Sequence, residues 1–179
     1  VQAVSIDNLD GGYMATRHLI ELGHRRILHI AGPPTSSEAN SRLRGYQRAM
    51  AEAGLEEQII QGDWTSETGY RLGVELNFDQ KAPTAIFTAN DHLALGLIKA
   101  LSGRAISVPE DVSLVGFDDL PEAPYFFPAL TTVRQDFTQL GELAIQMLLS
   151  DLAGNRRAKM ATIKPQLVLR DSAARVESR

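Results

Sequence analysis

The sequence predicts an α/β fold, a doubly wound parallel sheet with helices on both faces. Three observations carry this. Runs such as Ile27–Ala31, Ala85–Thr88 and Val112–Phe117 are apolar on consecutive residues, as strands buried on both faces are. The segments between them carry apolar residues at helical spacing. Strand and helix alternate at roughly the 25–30 residue spacing of βαβ units, whose right-handed crossovers place helices on both sides of a parallel sheet.

Taken in order, Val4–Ile6 reads as the end of a short strand. Asp10 is the expected cap of a helix with Met14, Ala15, Leu19 and Leu22 on its apolar face, and Gly23 closes it. Ile27–Ala31 is a buried strand ended by Gly32-Pro33-Pro34. Ser36 or Ser37 caps the next helix, which carries Ala39, Leu43, Tyr46, Met50 and Ala53, with Gly54 after it. Gln58–Gly62 is a weak strand and Thr65–Leu76 a helix. Ala85–Thr88 is a strand, and Asp91 opens a helix that Gly103 closes. Val112–Phe117 and Leu130–Val133 are strands. Asp136 with Gln139 resembles a capping box; Leu140, Leu143, Ala144, Met147 and Leu148 form one helix face, and Gly154-Asn155 ends it. Gln166–Leu169 is a last strand, and the polar tail after Asp171 is expected to fray.

Composition excludes several classes. The 179 residues suffice for one solid core, or a domain and a piece of another. A 44% hydrophobic, 22% charged chain has the balance of a globular protein. There is no run of 18 apolar residues and no cationic leader before an apolar stretch, so neither a membrane span nor a secretory signal is expected. With no cysteine there are no disulfides, thiolate zinc sites or cysteine nucleophiles. The net charge is −4, and the basic stretches (His24-Arg25-Arg26, Arg42 with Arg44, Arg156-Arg157) are short, so direct contact with a DNA duplex is not expected of this chain. P-loop, GxGxxG, GxSxG and HExxH patterns are all missing. The expectation is no catalysis, no metal and no cofactor.

Ligands of doubly wound sheets bind outside the carboxyl ends of the strands. The polar residues there are Pro34–Ser37, Asp63-Trp64, Asn90-Asp91 and Asp118-Asp119, with Arg42 one turn into its helix. Asp, Asn and Arg pair with vicinal hydroxyls, and an indole stacks on the apolar C–H face of a sugar. Against this, Asp91 and Asp136 read as helix caps, Asp119 as a solvated turn residue, and Tyr125, Phe126 and Phe127 as a loop plug. Trp64 is open between core packing and a ligand platform, Arg42 between a surface ion pair and a ligand contact. His18, His24, His29 and His92 read as structural.

The stretches DNLDGGYMATRHLIELGHRRILHIAG, SRLRGYQRAMAEAGL, TAIFTANDHLALGLIKAL, VPEDVSLVGFDD and PALTTVRQDFTQLGELAIQMLL follow one another in this order. Together they resemble the effector-binding core of the LacI/GalR family of bacterial transcription regulators, from about Ser5 to Arg170. The resemblance implies a type I periplasmic-binding-protein-like fold of two subdomains with a ligand cleft between them. It implies a carboxy-terminal subdomain of residues 1–134 plus 162–170, a returning helical segment of the amino-terminal subdomain at 135–160, and a flexible tail at 171–179. Carried over by motif, the ligand residues are Arg42 in SRLRG, Trp64 in GDW, Asn90 in AND, Asp118 in GFDD, and Gln135 and Phe137 in RQDF. Trp64 with Phe137 favours a saccharide, mono- or disaccharide, over a purine.

The resemblance also implies a cytoplasmic homodimer whose small-molecule effector shifts operator affinity by reorienting the subdomains. Operator DNA would be met through a helix-turn-helix headpiece that this sequence lacks, so the sequence reads as a fragment. A periplasmic sugar-binding protein of a transporter is the alternative, distinguished by what lies upstream. The wording of GHRRI and VPEDVSLVGFDD favours the regulators.

Overall fold

The computed structural model describes residues 3–79, 81–154 and 160–176. The chain runs β1 (Ala3–Ile6), α1 (Asn8–Glu21), β2 (Ile27–Ala31), α2 (Ser37–Glu52), β3 (Gln58–Gln61), α3 (Ser66–Glu75) and β4 (Ala85–Thr88). It continues through α4 (Asp91–Gly103), β5 (Ser113–Asp118), a short 3-10 turn (Ala123–Tyr125), β6 (Thr131–Arg134), α5 (Phe137–Leu152), β7 (Met160–Ile163) and β8 (Gln166–Val168). Six strands form one sheet in the order β3-β2-β4-β5-β6-β8. Every neighbouring pair in it is parallel except β6 and β8. The doubly wound α/β class is thus what forms, with an antiparallel edge strand added.

The consecutive apolar residues of the central strands serve both faces. Ile27, Phe87, Val115 and Phe117 pack with Leu19, Tyr46 and Met50 of α1 and α2. Their neighbours Leu28, Ile86 and Leu114 pack with Leu72, Leu93, Leu97 and Leu101 of α3 and α4. Each helix pair closes at a glycine contact. A Cβ on Gly45 would lie 2.2 Å from the Leu9 carbonyl oxygen, and one on Gly96 would lie 1.9 Å from that of Ser66. The helices therefore touch backbone to backbone.

The structure corrects several expectations. Asp7, not Asp10, caps α1: its Oδ1 accepts from the Asp10 N–H at 2.9 Å. Asn90, not Asp91, caps α4 by accepting from the Leu93 N–H. Asp136 caps α5 as expected, accepting from Gln139. The grouping of residues 1–134 with the main sheet does not describe β1, which pairs in parallel with β7 in a separate two-stranded sheet, with α5 against β1.

The tail is not loose through Val176. Ser172 is fully buried, its hydroxyl donating to the Leu114 carbonyl and accepting from the Thr131 N–H, while the Val176 N–H reaches the Leu22 carbonyl. Asn155, the Arg156-Arg157 pair and residues 177–179 lie outside the described residues.

Asp91 is a brace. It is fully buried at the start of α4. One carboxylate oxygen accepts from the Thr132 hydroxyl at 2.6 Å and the other from the Leu120 N–H at 2.9 Å. It lies where a side chain on Gly116 would be, so α4, β5, β6 and the loop after β5 meet on it. Burial pushes its carboxyl up to about 7.

Two outcomes follow. Gly96→Ala gains about 1 kcal/mol of helix propensity but must open the α3–α4 contact, and overpacking of about 1–3 kcal/mol outweighs that gain. Urea unfolding should show a net loss; a more stable variant would mean the helices separate freely. For Asp91, a carboxyl raised in the fold contributes stability that is complete below its unfolded value and is lost as pH rises through about 7. The melting temperature of the native protein should therefore fall relative to Asp91→Asn as pH rises from about 4 to about 7. Buried His29, lowered to about 4, has the opposite sign but is common to both proteins and cancels in the difference. Parallel curves would remove Asp91 as the titrating group.

Candidate functional site

Between β2 and β4 the sheet changes winding direction: β2 leads through α2 to β3 on one side, and β3 leads through α3 to β4 on the other. A crevice opens at the carboxyl ends of strands at such a switch point. Here it is a concavity of about 270 Å³ lined by Ser36, Glu38, Arg42, Trp64, Asn90 and Asp118.

Each wall has a local cause. Ser36 caps α2, its Oγ accepting from the Ala39 N–H, and this starts the helix that presents Arg42 less than two turns later. Arg42 is 5% exposed. Its Nε donates to Asn8 Oδ1 at 2.8 Å and its Nη1 to the Ala89 carbonyl; Asp118 Oδ1 lies 3.4 Å from Nη1. The guanidinium sits 3.7 Å from the Phe117 ring centroid and 5.4 Å from that of Trp64. Trp64 lies across Gly32, where a Cβ would come within 2.5 Å of the indole. Its carbonyl accepts from Asn90 Nδ2 at 3.0 Å. Trp64 is thus both packed on the core cluster and a wall of the concavity, so the two readings of it are not exclusive.

Asp118 and Asp119 both adopt positive φ, at 117° and 56°. This backbone costs a non-glycine residue of order 1–3 kcal/mol and occurs where surrounding bonds hold it. Those bonds divide the pair. Asp118 turns to the concavity, accepts from Gln135 Nε2 at 2.6 Å, and has its carboxyl raised by burial against the lowering pull of Arg42. Asp119 turns away, with Arg134 Nε and Arg170 Nη2 each at 2.6 Å. Its side chain is 7% exposed, so it is a buried anchor and not a solvated turn residue.

Of the six expected ligand residues, Arg42, Trp64, Asn90 and Asp118 line the concavity. Gln135 is one hydrogen bond behind it, on Asp118. Phe137 opens α5, is exposed, and does not line it. Sequence reasoning missed Glu38 as a wall residue, Asn8 behind Arg42, and the Arg134–Asp119–Arg170 bridge. Glu38 carries a weak signal, as an acid in the first turn after the Ser36 cap. Phe126 packs on the core as a plug, whereas Tyr125 and Phe127 are exposed. Among the described residues no three His, Asp or Glu side chains gather at metal-binding distance. No helix there is long and apolar enough to cross a membrane.

A larger concavity, about 650 Å³, lies at the opposite edge between the end of α4, residues 105–110 and residues 170–174. It is at the amino ends of β5 and β6, away from the edge where ligands of doubly wound sheets bind, and its polar lining includes Glu110, Arg170 and Asp171. The smaller one sits at the switch point.

Residues 16–173 match the family model of the periplasmic binding protein-like domain. The HTH-type transcriptional repressor PurR of Proteus mirabilis is 42% identical over 174 residues, covering 94% of this chain and 51% of that protein. A LacI family transcriptional regulator from Enterococcus faecium with bound ribose superimposes with a TM-score of 0.90 at 28% identity, over 98% of this chain and 66% of that one. The transcriptional regulator CelR in complex with cellobiose gives 0.90 at 34% identity, over 97% and 54%. The chain spans about half the length of the curated relatives it matches. With its sheet order, its carboxyl-edge crevice and these likenesses, the chain belongs to the periplasmic binding protein-like domain family, in the form of a LacI-family effector-binding core.

Proposed function

We propose that this chain is the sugar-binding part of a LacI-family transcription regulator, and that Arg42, Trp64, Asn90 and Asp118 hold the sugar, with Gln135 and Phe137 at the cleft's return crossover. The observation that carries it is the Arg42–Asp118 pair beneath the Trp64 indole at the switch point. A guanidinium and a carboxylate fixed side by side match a donor and an acceptor to vicinal hydroxyls, and the indole offers a C–H stacking face. Ribose and cellobiose in the similar solved structures support a saccharide. The relatives' names as transcription regulators support a binding role over catalysis or transport.

The proposed switch uses the two sheets as two bodies: the main sheet with α1–α4, and β1, α5 and β7. The chain passes between them after β1, after β6 and after β7. Arg42 bonds to Asn8, just past the first crossing, and Asp118 bonds to Gln135, just past the second. A ligand gripping Arg42 and Asp118 thus biases the crossings, and one relative orientation of the bodies is selected. In a homodimer that changes the spacing of two operator-reading headpieces. The exposed apolar face of α5 (Ile145, Leu148, Leu149, Leu152) is read as the packing surface for the remainder of the second body.

In the full-length protein, Arg42→Ala or Asp118→Ala should leave operator affinity unchanged. Effector affinity should drop about 10–100-fold, as loss of a charge-assisted hydrogen bond predicts. Fluorescence anisotropy on an operator duplex, titrated with candidate sugars, reads both. Variants that respond to effector as the native protein does would remove these residues from the site.

A further inference from the structure

We propose that Glu38 makes this site select an uncharged polyhydroxyl ligand over the phosphorylated form of the same molecule. This rests on the sugar reading of the site and narrows it to a charge class.

The wall is made of one cation and two carboxylates: Arg42, Asp118 and Glu38. The charge of Arg42 is already answered by Asp118, and its Nε and Nη1 are engaged by Asn8, Ala89 and Asp118. Glu38 makes no ion pair with Arg42 among the described residues; it feels that charge only at longer range, and with Asp118 it leaves the lining with two carboxylates to one cation. It is exposed at the mouth and held in place by the capping residue itself, since Ser36 Oγ accepts from the Ala39 N–H and donates to Glu38 Oε2 at 2.9 Å. Its backbone amide and the Ser36 and Ser37 hydroxyls hold its carboxyl below the usual glutamate range, so it is charged. His92 is within electrostatic reach of Asp118 but does not line the concavity.

The helix ends point the same way. Helix N-termini at the carboxyl edge of an α/β sheet ordinarily attract anions. Here α2 and α3 start at that edge with Glu38 and Glu67 in their first turns, whereas the first-turn acid of α4, Asp91, is buried and raised to about 7 and adds little charge. A neutral hydroxyl can donate to Glu38, whereas a phosphate meets its charge across a short gap. One like-charge contact in a partly solvated cleft lowers affinity by roughly tenfold or more.

The test is calorimetry on the full-length protein with neutral pentoses, hexoses and disaccharides, each beside its monophosphate. Expected is binding of a neutral sugar, with its phosphate about tenfold weaker or worse, and a difference that shrinks as salt is raised. Glu38→Gln keeps the shape and the Ser36 contact. Its readout is the ratio of phosphate to neutral affinity, whatever the neutral affinity becomes, and most of the gap should close. A phosphate that binds the native protein as tightly as its neutral parent overturns the proposal, and so does a gap that Glu38→Gln leaves unchanged. If the neutral sugar binds and weakens in Arg42→Ala while its phosphate binds equally well, charge selection alone falls. If no sugar in either form binds, the sugar reading falls with it.

Discussion

The guanidinium of Arg42 is almost wholly out of water, and a charge so placed has to be met on every side. Its edge is met by Asn8, the Ala89 carbonyl and Asp118, and its face by Phe117 and Trp64. Those partners come from the start of α1, the end of β4, the end of β5 and the loop after β3. Removing one side of a buried pair typically costs about 3–5 kcal/mol, because the other charge is left uncompensated. The four segments are therefore held in register by one side chain. Gly32 has to stay bare so that Trp64 can close over the top. The site is a by-product of that satisfaction: it is the surface left where Arg42 and Asp118 still face outward.

The same bonds tie the site to the crossings between the two sheets. Asn8 follows β1, and its Oδ1 is spent on Arg42. Gln135 follows β6, and its amide is spent on Asp118. At the third crossing the Asp7 N–H donates to the Ile163 carbonyl, which binds the first and third passages to each other. Beneath this, the Arg134–Asp119–Arg170 bridge fastens the last residue of β6 to the chain beyond β8. In the proposed function this is the route by which a small ligand acts on a large orientation. The contacts that recognise it are one bond away from the segments that must rotate.

How far the sequence could be read follows from the range of each interaction. Ile27–Ala31, Ala85–Thr88 and the strand ending at Phe117 were legible because a doubly buried strand writes its burial into consecutive residues. Arg42, Trp64, Asn90 and Asp118 were legible as a set because topology sends strand ends to one edge. The cap of α1 was misplaced because Asp7 and Asp10 are both good cap residues, and the choice lies in one 2.9 Å contact between them. Asp119 was misread because its partners are 15 and 51 residues away. The strand Met160–Ile163 was missed for the same reason, since its partner is β1, at the other end of the chain, and only Ile163 in it is buried. The tail from Asp171 looked polar and free, yet Ser172 is polar because it must bond to Leu114 and Thr131 from inside the core.

Three carboxylates crowd the end of β5, and they share the available cations unequally. Asp119 has two arginines. Asp118 has Arg42 and the Gln135 amide, which oppose but do not cancel the effect of its burial. Asp91 has no ion pair among the described residues, only the Thr132 hydroxyl and the Leu120 N–H, and burial with the charges of Asp118 and Asp119 pushes it up. Its carboxyl is thereby raised further than that of Asp118, to about 7. Were Asp91 fully ionised, Asp118 would carry more repulsion and a weaker hold on Arg42. Protonation of Asp91 as pH falls through about 7 therefore relieves repulsion on Asp118, and the two carboxylates of this corner are coupled through the fold.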